Sequence, residues 1–185
     1  MATRKPTATR QSVNKDIKES GDTTEITKDA TAPIIPKDVD PTTIITVKNG
    51  FQGKLIYISP RSHERFMWDE FGDEQEMELR ELRNAKSSAK KFFENNWFMF
   101  GDDDAWVIEY LGLGRYYKYA IKLEDFDDIF NKTPEEIKLI VDGMSVGQKK
   151  SLSYRTRQLV ADGEIDSRKV ISALEEALDV ELIER

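Results

Sequence analysis

The sequence predicts an α+β fold: a small antiparallel β-sheet packed on helices, an extended N-terminal arm and a C-terminal helical bundle. Three observations carry this. The first aromatic residue is Phe51, and the stretch before it holds four of the six prolines. Between Thr43 and Trp68, short β-branched and aromatic runs alternate with turn residues, the pattern of strands. Beyond Lys132, apolar residues recur at three- and four-residue spacing between clear helix start and stop signals.

Residues 1–42 read as the arm. They carry too little apolar surface to offset the entropy of ordering them alone. Within the first twenty residues Arg4, Lys5, Arg10, Lys15 and Lys18 face only Asp16 and Glu19, a basic start on a chain of net charge −7. Pro33, Pro36 and Pro41 favour extended backbone, with Ile34 and Ile35 as isolated apolar residues between the first two. Such an arm is expected to order on a partner, through Arg4, Lys5, Arg10, Ile34 and Ile35. The alternative is a solvated tail.

Residues 43–131 are expected to form an α+β domain. Ile44–Lys48, Lys54–Ile58 and Arg65–Trp68 read as a three-stranded antiparallel meander, with Asn49-Gly50 as the first turn and Phe66 and Trp68 on one face. Gly72 breaks the pattern, and Asp73 with Glu76 has the spacing of a capping box opening a helix. Leu79, Leu82, Ala85, Ala89, Phe92 and Phe93 form its apolar stripe, opposite Glu78, Arg80, Glu81, Arg83 and Lys90. Trp97–Phe100 fits a short strand or a buried helix end. A second helical stretch carries Trp106, Val107, Tyr110 and Leu111 and is expected to stop at Gly112 and Gly114.

Residues 132–185 are expected to form a helical subdomain. Thr133-Pro134-Glu135-Glu136 supplies an N-cap, a first-turn proline and a capping-box glutamate, followed by Ile137, Ile140 and Val141. A helix over roughly 146–161 presents Val146, Leu152, Leu159 and Val160 and stops at Asp162-Gly163. A third carries Val170, Ile171, Leu174 and Leu178.

Composition narrows the chemistry. There is no cysteine and one histidine, His63, so thiolate and multi-histidine metal sites are excluded and a Ser-His-Asp triad would depend on that residue. His63 sits in the polar turn Arg61–Arg65, a poor place for triad geometry. The acidic balance opposes broad adhesion to nucleic acid or anionic membrane. No apolar run approaches the ~20 residues needed to span a bilayer, and Met1–Arg10 lacks an apolar signal core, so a soluble intracellular protein is the expectation.

Asp102-Asp103-Asp104 after an apolar run suggests either carboxylates on a metal or carboxylates at a helix start, and the second is the simpler reading. Gly143–Ser151 departs from a phosphate loop: three residues rather than four separate its glycines, and Gln148 stands where the lysine belongs. Leu111–Arg115 lacks the third glycine of a dinucleotide fingerprint. No catalytic residue, metal or cofactor is expected. Lys149, Lys150, Arg155, Arg157, Arg168 and Lys169 surround two helices and could serve a helix-turn-helix on DNA phosphates, although Glu164, Asp166, Glu175, Glu176 and Asp179 oppose that field. Tyr116, Tyr117 and Tyr119 exceed what a small core needs and are a candidate aromatic partner patch.

The order of segments resembles that of small virion structural proteins of tailed bacteriophages. The matching pieces are Val47–Gly50, Arg65–Trp68, Met77–Leu82, Lys91–Trp97 and Gly147–Lys150, within roughly residues 43–183. The resemblance implies a non-enzymatic role at the capsid, neck, tail or baseplate, with other virion proteins as partners in a homo- or hetero-oligomer. It places the chain in the virion, and in the host cytoplasm during assembly. The alternative is a nucleic-acid-binding regulator using the C-terminal helices and the basic arm.

Overall fold

Ile44–Asn49 (β1) alternates outward and inward residues, so Ile45 and Val47 are fully buried while Ile44 faces out. In the computed structural model, which describes residues 38–182, β1 is the middle strand of a three-stranded antiparallel sheet. One neighbour is Glu74–Glu78 (β4), in the register Ile45 opposite Met77. The other is Phe98–Phe100 (β5), in the register Asn49 opposite Phe98. Leu55–Ile58 (β2) and Arg65–Trp68 (β3) form a separate two-stranded hairpin, with Tyr57 opposite Phe66.

The α+β class therefore stands, and the strands expected at 44–48, 54–58 and 65–68 form to within one residue, but the meander does not. Asn49-Gly50 is not a hairpin turn. The fully buried Asn49 side chain donates to the carbonyls of Gly53 and Glu70, both at 2.8 Å, and accepts the Phe51 amide at 2.8 Å. It thus brackets a longer loop and leaves both edges of β1 to β4 and β5. The Asp73/Glu76 pair is not a helix cap either. Asp73 accepts the amides of Asp69 and Glu70, and the residues after it extend so that Met77 can bury against Ile45. The helix Leu79–Ser88 (α1) begins only after that strand, burying Leu79, Leu82 and Ala85 as their spacing requires.

Phe92 and Phe93 sit in a separate short helix, Lys91–Glu94 (α2). Asn96 closes it in the left-handed conformation (φ 53°), with Trp97 N–H returning to the Phe92 carbonyl. Trp97–Phe100, open between strand and helix on sequence, supplies β5. A core of tilted and edge-on rings results: Tyr57, Phe92, Phe93 and Trp68 all lie within 4.8–5.6 Å of Phe98 between ring centroids. The Trp68 indole N–H is satisfied by the Val47 carbonyl at 2.8 Å, tying the hairpin to the sheet.

Trp106–Tyr110 (α3) ends as expected at Gly112, but Gly114 opens the next helical turn, Gly114–Tyr117 (α4). The arm residues Arg4, Lys5, Arg10, Ile34 and Ile35 lie outside the described residues. The end of the predicted arm joins the body: Val39 packs on the first core, and the Pro41 carbonyl accepts the Arg80 amide at 2.9 Å.

A second core gathers Phe126, Ile129, Ile137, Val141, Met144, Leu152, Ala173 and Leu174. Pro134–Gly143 (α5) has the capping box expected of Thr133 and Glu136, with both reciprocal bonds present. It packs against Arg168–Leu178 (α7). Between them in sequence, Val146–Ala161 (α6) starts at Ser145, whose hydroxyl accepts the Gln148 amide at 3.1 Å. Val146 was expected on the buried side of α6, yet it is 65% exposed. The helix instead buries a small and polar row, Gly147, Gln148, Ser151 and Thr156, together with Leu152 and Leu159.

That row makes the seam between the two cores. Ser151 donates to the Gly50 carbonyl at 3.0 Å and accepts the Gln52 amide at 3.2 Å. Gln148 exchanges both side-chain bonds with the backbone of Ile121. A Cβ on Gly147 would fall 2.1 Å from the Asn95 carbonyl oxygen, and one on Gly50 would fall 2.1 Å from that of Asn96. Glycine at both positions lets the β1–β2 loop, the Asn95-Asn96 corner and α6 meet backbone to backbone.

Candidate functional site

Tyr116, Tyr117 and Tyr119 do not form one patch. Tyr116 and Tyr117 end α4 and Tyr119 lies two residues beyond it, and each meets different surroundings. Tyr117 donates to the Phe98 carbonyl at 2.6 Å, and burial pushes its phenol above the usual range. Tyr116 is clamped beneath Arg115 and Lys90, 4.5 and 5.8 Å from its ring centroid, and donates to Glu94 at 3.2 Å. Only Tyr119 stays open, at 62% exposure.

Tyr119 lines a surface groove of about 500 Å³ with Ile121, Ile129, Leu139, Ile140 and Gly143. Asp125, Asp128 and Lys132 border it. Leu139 is 75% exposed there, off the Ile137/Val141 stripe that α5 buries. Neither Asp125 nor Asp128 has an ion-pair partner among the described residues. The groove thus combines an apolar floor, an open aromatic ring and two carboxylates with no ion-pair partner among the described residues.

The outer face of the β2–β3 hairpin is a second open surface. Ile56 stands opposite Met67, Ile58 stands two residues along on the same face, and all three are more than a third exposed. Sequence reasoning missed this face. Its signal was present: Leu55-Ile56-Tyr57-Ile58 is apolar on both faces, whereas a strand with one side in water normally alternates.

The remaining candidates are committed elsewhere. Asp104 accepts the Thr46 amide at 2.9 Å, and Asp102 pairs with Lys122 at 2.6 Å, which holds its carboxyl below the usual range. The aspartates form a 3₁₀ turn just ahead of α3 but put no side-chain cap on it, so the capping reading is corrected: Asp102 and Asp104 bond to Lys122 and Thr46 instead. His63 lies exposed in its turn in the left-handed conformation (φ 58°). Among the described residues, no three His, Asp or Glu side chains are grouped as metal ligands would be.

Of the basic residues, Arg155 is bound by both oxygens of Asp127, at 3.1 and 2.6 Å, beside Asp69 and Glu70. Arg157 reaches the Glu181 carbonyl at 3.4 Å. Lys149 is half-buried, and Lys150, Arg168 and Lys169 are exposed. No helix of the described residues is long and apolar enough to cross a membrane. Compared with known proteins, the chain matches no family model, no curated protein and no solved structure.

Proposed function

We propose that this chain is a non-enzymatic structural protein of a tailed-phage virion, whose N-terminal arm orders on neighbouring subunits. One observation carries the reading furthest. Ile56, Ile58 and Met67 lie together on the outer face of a hairpin whose inner face already fills the core. Contiguous exposed apolar surface is costly in water and marks a protein-binding face. Of the Asp102–Asp104 carboxylates, the most enzyme-like feature of the sequence, Asp102 is bound to Lys122 and Asp104 to the Thr46 amide. The order of segments and the basic, proline-rich arm point the same way.

The test uses particles. Phage produced from a genome carrying Ile56→Lys with Met67→Glu should incorporate less of this chain than wild-type phage, by mass spectrometry of purified virions. A wild-type chain recovered only from the soluble lysate, and never in particles, sinks the proposal.

A further inference from the structure

We infer that the Tyr119/Leu139 groove binds Pro33-Ile34-Ile35-Pro36-Lys37 of a neighbouring copy, joining subunits head to tail. The inference rests on the virion reading only in assuming that the arm binds a neighbour. The remaining argument is chemical.

The segment and the groove match in three respects. Two prolines three apart favour extended backbone and remove two amide donors, so such a segment loses little entropy and buries few polar groups on docking. Proline-flanked segments of this kind dock in aromatic-lined grooves, and Tyr119 supplies the open ring. Ile34 and Ile35 find the apolar floor of Ile121, Ile129, Leu139 and Ile140. Lys37, directly after the second proline, meets Asp125 and Asp128, which have no ion-pair partner among the described residues. Among the described residues that line the groove, Lys132 is the one cation against the two aspartates.

Chain length favours a neighbour as donor. Val39 packs on the first core, and Pro41 and Thr43 are held by the amides of Arg80 and Leu79 at the start of α1. The three residues from Val39 back to Pro36 span at most about 10 Å. Glu124, next in sequence to Asp125 of the groove rim, pairs at 3.3 Å with Lys48, near the opposite end of β1 from Pro41. From Ile44 to Lys48 the strand alone covers about 13 Å.

The experiment uses full-length chains: wild type, an arm variant (Ile34→Asp with Ile35→Asp) and a groove variant (Leu139→Asp). Leu139 is already in water, so the groove variant should keep its fold, checked by thermal melting. Sedimentation should show wild type associating with rising concentration and each variant monomeric. A one-to-one mixture of the variants should form dimers and nothing larger, because only one junction remains intact. A labelled peptide of residues 30–40 should bind the arm variant and lose roughly tenfold or more in affinity on the groove variant, the cost of one anchor contact.

Peptide binding that ignores Leu139→Asp overturns the inference. So does a wild-type chain that stays monomeric with its groove already blocked, which means that its own arm fills it. Peptide failure with the chain still present in virions removes the groove assignment and leaves the proposed function standing.

Discussion

The buried carboxylate of Glu81 accepts the hydroxyl of Tyr57 at 2.7 Å, joining α1 to the β2–β3 hairpin. Glu81 had been expected on the polar face of α1, yet it is 7% exposed and shares its other oxygen with Asn84 at 3.3 Å. The helix presents it inward because the hairpin brings a phenol to meet it.

Removing one partner should cost more than removing both. Tyr57→Phe leaves a buried carboxylate oxygen unpaired and should destabilise the fold by about 1–3 kcal/mol. Adding Glu81→Leu should recover much of that loss. Urea unfolding of the two variants and the double variant measures the difference, and additive losses would show that the pair is not coupled.

Alkaline stability follows from the same residue. Burial first, then the hydrogen bond to Glu81, raises the Tyr57 phenol above its usual value, and burial alone raises Tyr117. A raised folded value means that the unfolded chain gives up its protons first. The contribution is complete below about pH 10 and shrinks as pH climbs from there toward the folded values. Unfolding free energy should therefore drop as pH rises above about 10, and less so in Tyr57→Phe. Phenolate absorbance should show these two of the six tyrosines ionising only as the protein unfolds.

Gly147→Ala tests the seam. Alanine normally favours a helix interior by about 1 kcal/mol over glycine. Here its Cβ would meet the Asn95 carbonyl oxygen at 2.1 Å and the Asn95 Cβ at 2.5 Å, and the first of these is backbone that cannot swing aside. The clash should win, with a net loss of about 1–3 kcal/mol in thermal or urea unfolding. A stabilised variant would mean that α6 does not press on that corner.

Ser151→Ala probes the same seam by chemistry rather than volume. It strips the Gly50 carbonyl and the Gln52 amide of a shared partner, at a cost of about 1–3 kcal/mol. Hydrogen exchange should quicken at Gln52 more than in the hairpin. Uniform quickening would point to global loosening instead.

Thr133→Ala should cost about 1 kcal/mol, since the threonine hydroxyl accepts the Glu136 amide while Glu136 holds the Thr133 amide at 2.9 Å. The Thr133 amide also holds the Glu136 carboxyl below its usual range. Acidification toward that carboxyl should remove part of the stability difference between variant and wild type, read by melting at neutral and acidic pH.

Local rules explain what the sequence alone determined. The Thr133–Glu136 start of α5, the α6 stop at Gly163 (φ 76°), the Leu79/Leu82/Ala85 stripe and the Phe66/Trp68 face all depend on residues a few positions apart. Period and capping chemistry therefore suffice to place them. Strand pairing is different. The amides of β1 can bond to any extended segment, and the choice of β4 and β5 over β2 was made by Asn49, Met77 and the ring cluster around Phe98. The three tyrosines near α4 show the same limit: adjacent in sequence, they were sent to the core, to two cations and to an open groove by the packing around one helical turn. Local spacing and capping placed the helices of this chain, but only long-range burial decided which strands paired and which surfaces stayed open.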